Sequence, residues 1–298
     1  MSQRSKYVAP VLAALGLVAC LAAPARAQTA DPNPGNLTIT GAVDFTNNYM
    51  FRGIRQDADP KVIIQPYFDL GIALHSADTG LKSAGVNFGT WNSLHTGGSG
   101  LDSASGKLWY ESDFYAALGL GFAAGTFNAQ YTSYTSPNGG FTTVKEVFFK
   151  FTGDDSAALG KAALHPYALA AFELDTEPGI GQADAGLHAG KYLELGVAPG
   201  YTAAKATLTV PVKVGLSIGD YYELNEGTAL VPDFVDNKFG YFSVAGVVTF
   251  PLTSVPSGYG GWNLHASVEF QQLGETTKAF NGGDAQKVIV TGGLGFSY

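Results

Sequence analysis

Cysteine is nearly absent. Cys20 is the single one, and it lies in the N-terminal segment. The rest of the chain therefore has neither a disulfide framework nor a thiolate metal site available to it. Charge is also scarce. Only 14% of the 298 residues are Asp, Glu, Lys or Arg, which is low for a soluble domain. There is no basic run, which argues against nucleic acid as a partner. After residue 27 no apolar stretch approaches the roughly twenty residues of a spanning helix. A chain with this composition that enters a membrane has to do so as a closed barrel, because lipid cannot satisfy an open strand edge.

Glycine and aromatic residues are abundant: 39 Gly, 15 Tyr and 19 Phe. That mix fits many short strands, tight turns and aromatic belts. The first 27 residues have the layout of a Sec-type signal peptide. Arg4 and Lys6 precede an apolar run over 8–23, and Ala25-Arg26-Ala27 supplies a small-x-small cleavage pattern. A competing pattern, Leu17-Val18-Ala19-Cys20, would mark a lipoprotein. Cleavage after Ala27 removes three of the 17 cations, leaving 14 basic against 25 acidic residues. Residues 28–36 read as a loose leader and 37–298 as one domain.

Period-two alternation then sets the fold class. In 62–75, Val62, Ile64, Phe68, Leu70, Ile72 and Leu74 share one parity, opposite Gln65, Tyr67, Asp69 and His75. In 262–271, Trp262, Leu264, Val268 and Phe270 oppose Asn263, His265, Ser267, Glu269 and Gln271. Twelve strands are expected, near 37–51, 61–74, 84–94, 108–122, 126–134, 141–152, 164–174, 191–201, 205–219, 238–251, 261–273 and 286–298. An even number with short turns at one end and long loops at the other predicts an all-β, antiparallel, up-and-down transmembrane barrel of the bacterial outer membrane. The longest loops fall at 95–107, 175–190 and 220–237. In the last strand Val288, Val290, Leu294, Phe296 and Tyr298 share a face. Phe296 and Tyr298 are candidates for the C-terminal signal read by the outer-membrane assembly machinery.

Apolar parity assigns the lipid side, so the opposite parity lines the lumen. The candidates are Asp44, Arg52, Gln65, Asp69, Glu111, Asp113, Tyr115, Glu146, Lys150, Glu194, Lys213, His265 and Glu269. Acids outnumber bases, which favours cations if the lumen conducts. The same charges could instead pair and brace the wall. The expected partners are outer-membrane lipid and small hydrophilic solutes. A closed barrel with interacting loops is the alternative, and an outer-membrane hydrolase is third. His265, Ser267 and Glu269 stand about 6–7 Å apart along one strand, too far for a direct Ser–His hydrogen bond. The histidines show no metal spacing, and Gly119 to Ala124 matches a dinucleotide fingerprint without the strand–helix context it needs. No cofactor is expected.

Residues 43–56 read Val-Asp-Phe-Thr-Asn-Asn-Tyr-Met-Phe-Arg-Gly-Ile-Arg-Gln. They are followed by Gly89-Thr90-Trp91-Asn92, Glu111-Ser112-Asp113-Phe114-Tyr115, Tyr131 and Glu146. This order, over roughly 40–150, resembles the TorF-type porin family, proteobacterial outer-membrane proteins of unknown function. The resemblance implies a porin-like barrel and names no substrate. Arg55 stands where that family often has Ser. On physical grounds Tyr49 and Phe51 are expected in an aromatic belt at the top of the first strand, with Gly53 allowing the bend into the first loop. Arg52 is expected at the mouth, paired with Glu111 or Asp113.

Overall fold

The computed structural model describes residues 33, 35–100, 108–174, 188–203, 205–228 and 230–298. The expected signal peptide, nearly all of the expected leader, and parts of the loops at 95–107 and 175–190 lie outside these residues.

A closed antiparallel barrel of twelve staves forms the molecule. The staves are β1 (Leu37–Thr46), β2 (Ile63–Ser76), β3 (Ser83–His95), β4 (Trp109–Phe122), β5 (Gly125–Thr135) and β6 (Val144–Gly153). They continue with β7 (Tyr167–Glu173), β8 (Lys191–Val197, resuming at Gly200–Ala203) and β9 (Ala206–Thr209, resuming at Val212–Gly219). The last three are β10 (Phe239–Pro251), β11 (Gly261–Leu273) and β12 (Gln286–Ser297). Each stave pairs with its sequence neighbours. β12 closes on β1 from Thr40↔Ser297 to Thr46↔Thr291. Ile39 and Tyr298 exchange backbone hydrogen bonds of 2.7 Å in both directions, so the terminal aromatic residue is fastened to the first stave.

The two interrupted staves have a local cause. Pro199 on β8 and Pro211 on β9 lie at nearly the same level, one residue out of register, and the Val210 N–H donates to the Pro199 carbonyl at 2.9 Å. Proline has no N–H to give to a ladder, so both staves lose regular pairing at that level.

Outward positions are large and apolar. Phe45, Phe88, Phe114, Phe250, Leu264 and Val288 are all exposed, Phe114 at 58%. A continuous belt of this kind on a soluble protein would be an aggregation surface; on a barrel it is the lipid face. Inward positions are polar or aromatic. The glycine-rich 119–122 stretch lies within β4, so its fingerprint match is accidental.

Lumen-facing tyrosines lie across glycines on neighbouring staves. Tyr115 covers Gly89, Tyr167 covers Gly196 and Tyr241 covers Gly215. Each is the direct cross-strand partner of its glycine. A Cβ at any of the three would run into the ring, so only glycine lets the ring lie flat on the wall.

The first stave is shorter than expected. It ends at Thr46, not at residue 51, and the chain then turns into the lumen as a small hairpin of Met50–Phe51 and Ile54–Arg55. Its two-residue loop, Arg52-Gly53, has φ of 47° and 84°. Two successive positive φ values are what the right-handed twist of a tight hairpin requires, and Gly53 supplies one without strain.

Candidate functional site: a plugged lumen

The inward hairpin touches both halves of the wall. Tyr49 and Phe51 pack with Ile63, Trp91, Tyr110, Tyr134 and Val144, on and between β2 and β6. Ile54 packs with Phe148, Leu169, Tyr192, Tyr241 and Leu273, from β6 round to β11. The segment therefore crosses the lumen. Tyr49 and Phe51, expected in a lipid-side belt, are instead 2% and 6% exposed inside the barrel. Aromatic side chains fit either environment, and the turn at Thr46 decides for the interior.

Arg52 locks the hairpin in place. Its Nη1 and Nη2 donate to Glu146 Oε2 and Oε1 at 2.6 and 2.8 Å, a two-pronged ion pair with both side chains buried. Nη1 also donates to the Tyr221 hydroxyl at 2.9 Å. The guanidinium lies over the Tyr192 ring at 4.2 Å. Tyr222 donates to the Arg52 carbonyl at 2.9 Å, and Asn281 Nδ2 donates to the Gly53 carbonyl at 2.8 Å. This corrects the expected pairing with Glu111 or Asp113. Glu146 on β6 offers both oxygens along the axis of the incoming fork, a match that planar guanidinium rewards. Only the fold reveals that residues 94 apart in sequence meet.

The expected lumen residues are all buried or half-buried, Arg52 on the hairpin and the others on the wall. Below the plug they form linked polar groups. Glu194 accepts hydrogen bonds of 2.8 Å from Tyr167, Tyr192 and Tyr241. Lys213 lies 3.9 Å from Glu269, which also accepts from Ser243 at 2.5 Å and Gln271 at 3.0 Å. Lys150 stands over the Tyr167 ring at 4.2 Å. Asp69 accepts from Asn87 at 2.6 Å and Tyr115 at 2.8 Å. His265 Nε2 meets Asp44 at 2.6 Å, so that histidine belongs to a cross-wall pair with β1 and not to Ser267. Gln65 is buried. Glu111 and Asp113 are buried on β4, and Asp113 Oδ1 has no hydrogen-bond partner among the described residues.

A second polar cluster went unread in the sequence. Ser93 Oγ and His95 Nε2 are 2.9 Å apart, and His95 Nδ1 is 3.1 Å from Asp57 Oδ2. Two-residue spacing on a strand was expected to keep Ser and His apart. Here the pair sits where β3 breaks register between Ser93 and Leu94, and the side chains converge. Asp57 arrives from the plug segment, which sequence spacing could not place.

A family model described as "Bacterial protein of unknown function (Gcw_chp)" matches residues 29–250. The chain belongs to the Gcw_chp family. That match includes the 40–150 stretch, and the family it names is Gcw_chp and not the TorF-type family expected there. No curated protein matches this Gcw_chp chain. Among solved structures, an outer membrane channel from Pseudomonas putida F1 is 11% identical with a TM-score of 0.49, covering 89% of this chain and 97% of that one. The NanC porin is 12% identical with a TM-score of 0.42, covering 87% and 98%. An outer membrane phospholipase of Salmonella typhi is 11% identical with a TM-score of 0.43, covering 89% and 94%.

Proposed function

We propose that this Gcw_chp protein is a narrow outer-membrane channel for small hydrophilic solutes, constricted by its first loop. The carrying observation is the lumen wall. It stays polar and charged from the level of Asp44 and His265 up to Glu111 and Asp113, and a side-chain-filled structural barrel has no need of that many buried charges. Its polar, two-signed lining, in which acids outnumber bases, suits uncharged and cationic solutes. Full-length protein purified from membranes and inserted in a planar bilayer is expected to give stable single-channel steps. Silence from protein that keeps its β-sheet circular dichroism and heat-modifiable migration would move the function to the loops.

The Ser93–His95–Asp57 cluster is the one observation that favours a hydrolase. We read it as a brace between β3 and the plug segment. Ser93 is 0% exposed, and the His95 ring is stacked on Tyr110 at 4.6 Å, so a carbonyl substrate has no approach to the hydroxyl. A fluorophosphonate probe is expected to leave the protein unlabelled. Labelling that is lost in Ser93→Ala would restore the enzyme reading.

A further inference from the structure

At the loop end of the barrel, His188, Asp220 and Glu223 converge. One ligand atom from each lies within 4.8 Å of the others. His188 Nδ1 is 3.9 Å from Glu223 Oε1. His188 precedes β8, and Asp220 and Glu223 follow β9, so the three come from two different loops. We propose that they form an external site for a zinc-like divalent metal, and that its occupancy holds the plug shut.

The donor set argues for the class of ion. One imidazole and two carboxylates suit zinc and its first-row neighbours, whereas calcium and magnesium want six or more oxygens. Ligand atoms about a tetrahedral zinc stand roughly 3.3 Å apart, given bonds of about 2.0–2.1 Å. The cluster is slightly wider, and the exposed His188 is the member free to close it. Glu223 is 4% exposed and is fixed in the short ladder pairing Glu223–Asn225 with Phe234–Asp236. Asp220 is held by its own backbone, whose N–H donates to Asp236 Oδ2 at 3.0 Å. Two placed carboxylates and one exposed imidazole supply three ligands, and the fourth position of a tetrahedral zinc would fall to water.

The consequence for the plug comes from sequence adjacency. Asp220 and Glu223 flank Tyr221 and Tyr222 directly. Those tyrosines make the contacts to Arg52, one with its side chain and one with its carbonyl. A metal tying Asp220 and Glu223 to His188 would restrain the segment that holds the hairpin. This second part rests on the channel reading; the site itself does not.

The test is calorimetric titration of the detergent-solubilised full-length protein with zinc chloride, compared with His188→Ala and Glu223→Gln. Zinc is expected to bind at one site whose affinity falls about tenfold or more in each variant. Millimolar magnesium should fail to displace it. His188 is exposed, so His188→Ala keeps the fold, and unchanged heat-modifiable migration verifies that. Absence of zinc binding, or equal affinity in wild type and His188→Ala, overturns the site. In bilayers zinc is expected to lower the open fraction of the wild type and leave His188→Ala unaffected. Zinc that binds by calorimetry while conducting channels ignore it overturns the coupling to the plug. A protein that never conducts refutes the channel reading, and calorimetry still decides the site.

Discussion

At the scale of single residues, Arg52 does the most. It neutralises Glu146, a carboxylate with 0% exposure, and carries the turn of the plug. Removing one partner of a buried ion pair strands the other charge, at a cost of about 3–5 kcal/mol. Arg52→Ala should therefore lower the denaturant midpoint of the barrel and, by freeing the hairpin, raise unit conductance. Arg52→Lys keeps the charge but not the fork, and should fall between the two. The measurement is urea unfolding paired with single-channel recording on the same preparations. A variant that lost stability with unchanged conductance would leave Arg52 a brace and remove it from the gate. Sequence made half of this legible. Its parity put Glu146 in the lumen, and Gly53 announced a bend. The partnership was hidden because a barrel sets neighbours by curvature and register, and the choice among Glu111, Asp113 and Glu146 depends on where the hairpin enters.

Among elements, the staves were readable and the loops were not. A stave half in lipid and half in a polar lumen must alternate, so β2 and β11 show their bounds and facing directly in the residue order. The prolines at 199 and 211 break pairing inside staves that alternation alone would run straight through. The segment after Thr46 is apolar enough to extend β1, and it leaves the wall because its aromatics find the interior on both sides. The glycine-for-tyrosine pairs are a device of the wall itself. Gly215 accepts the Tyr241 ring, whose hydroxyl in turn reaches Glu194. Gly215→Val should push that ring off the wall and cost about 1–3 kcal/mol through overpacking. The check is the heat-modifiable transition, which should move to lower temperature. Gly246→Val is its control, since nothing lies within 4 Å of a Cβ there. Equal shifts in both would show a general preference for glycine in the wall and no ring seat.

For the whole molecule, the question is what field the lumen presents to a solute. The basic groups are largely spoken for: Arg52 by Glu146, Lys213 by Glu269, and His265 lies against Asp44. Asp69 is held by the neutral groups of Asn87 and Tyr115, and Glu111 and Asp113 sit together on β4 near the plug. Acidic side chains therefore outnumber basic ones on the lumen wall, and two of them, Glu111 and Asp113, stand beside the constriction. A narrow, low-dielectric passage focuses such a field, and the effect weakens as salt shortens the screening length from about 10 Å at 0.1 M to about 3 Å at 1 M. Under a salt gradient the reversal potential should have the sign of cation preference and shrink as both salt concentrations rise together. The double change Glu111→Gln with Asp113→Asn should reduce it further, while Lys61→Gln, outside the lumen wall, should not. An anion-selective reversal potential in the wild type would mean that the paired groups do not cancel as their distances imply. The lysines at 150 and 213 would then be the charges a solute meets first.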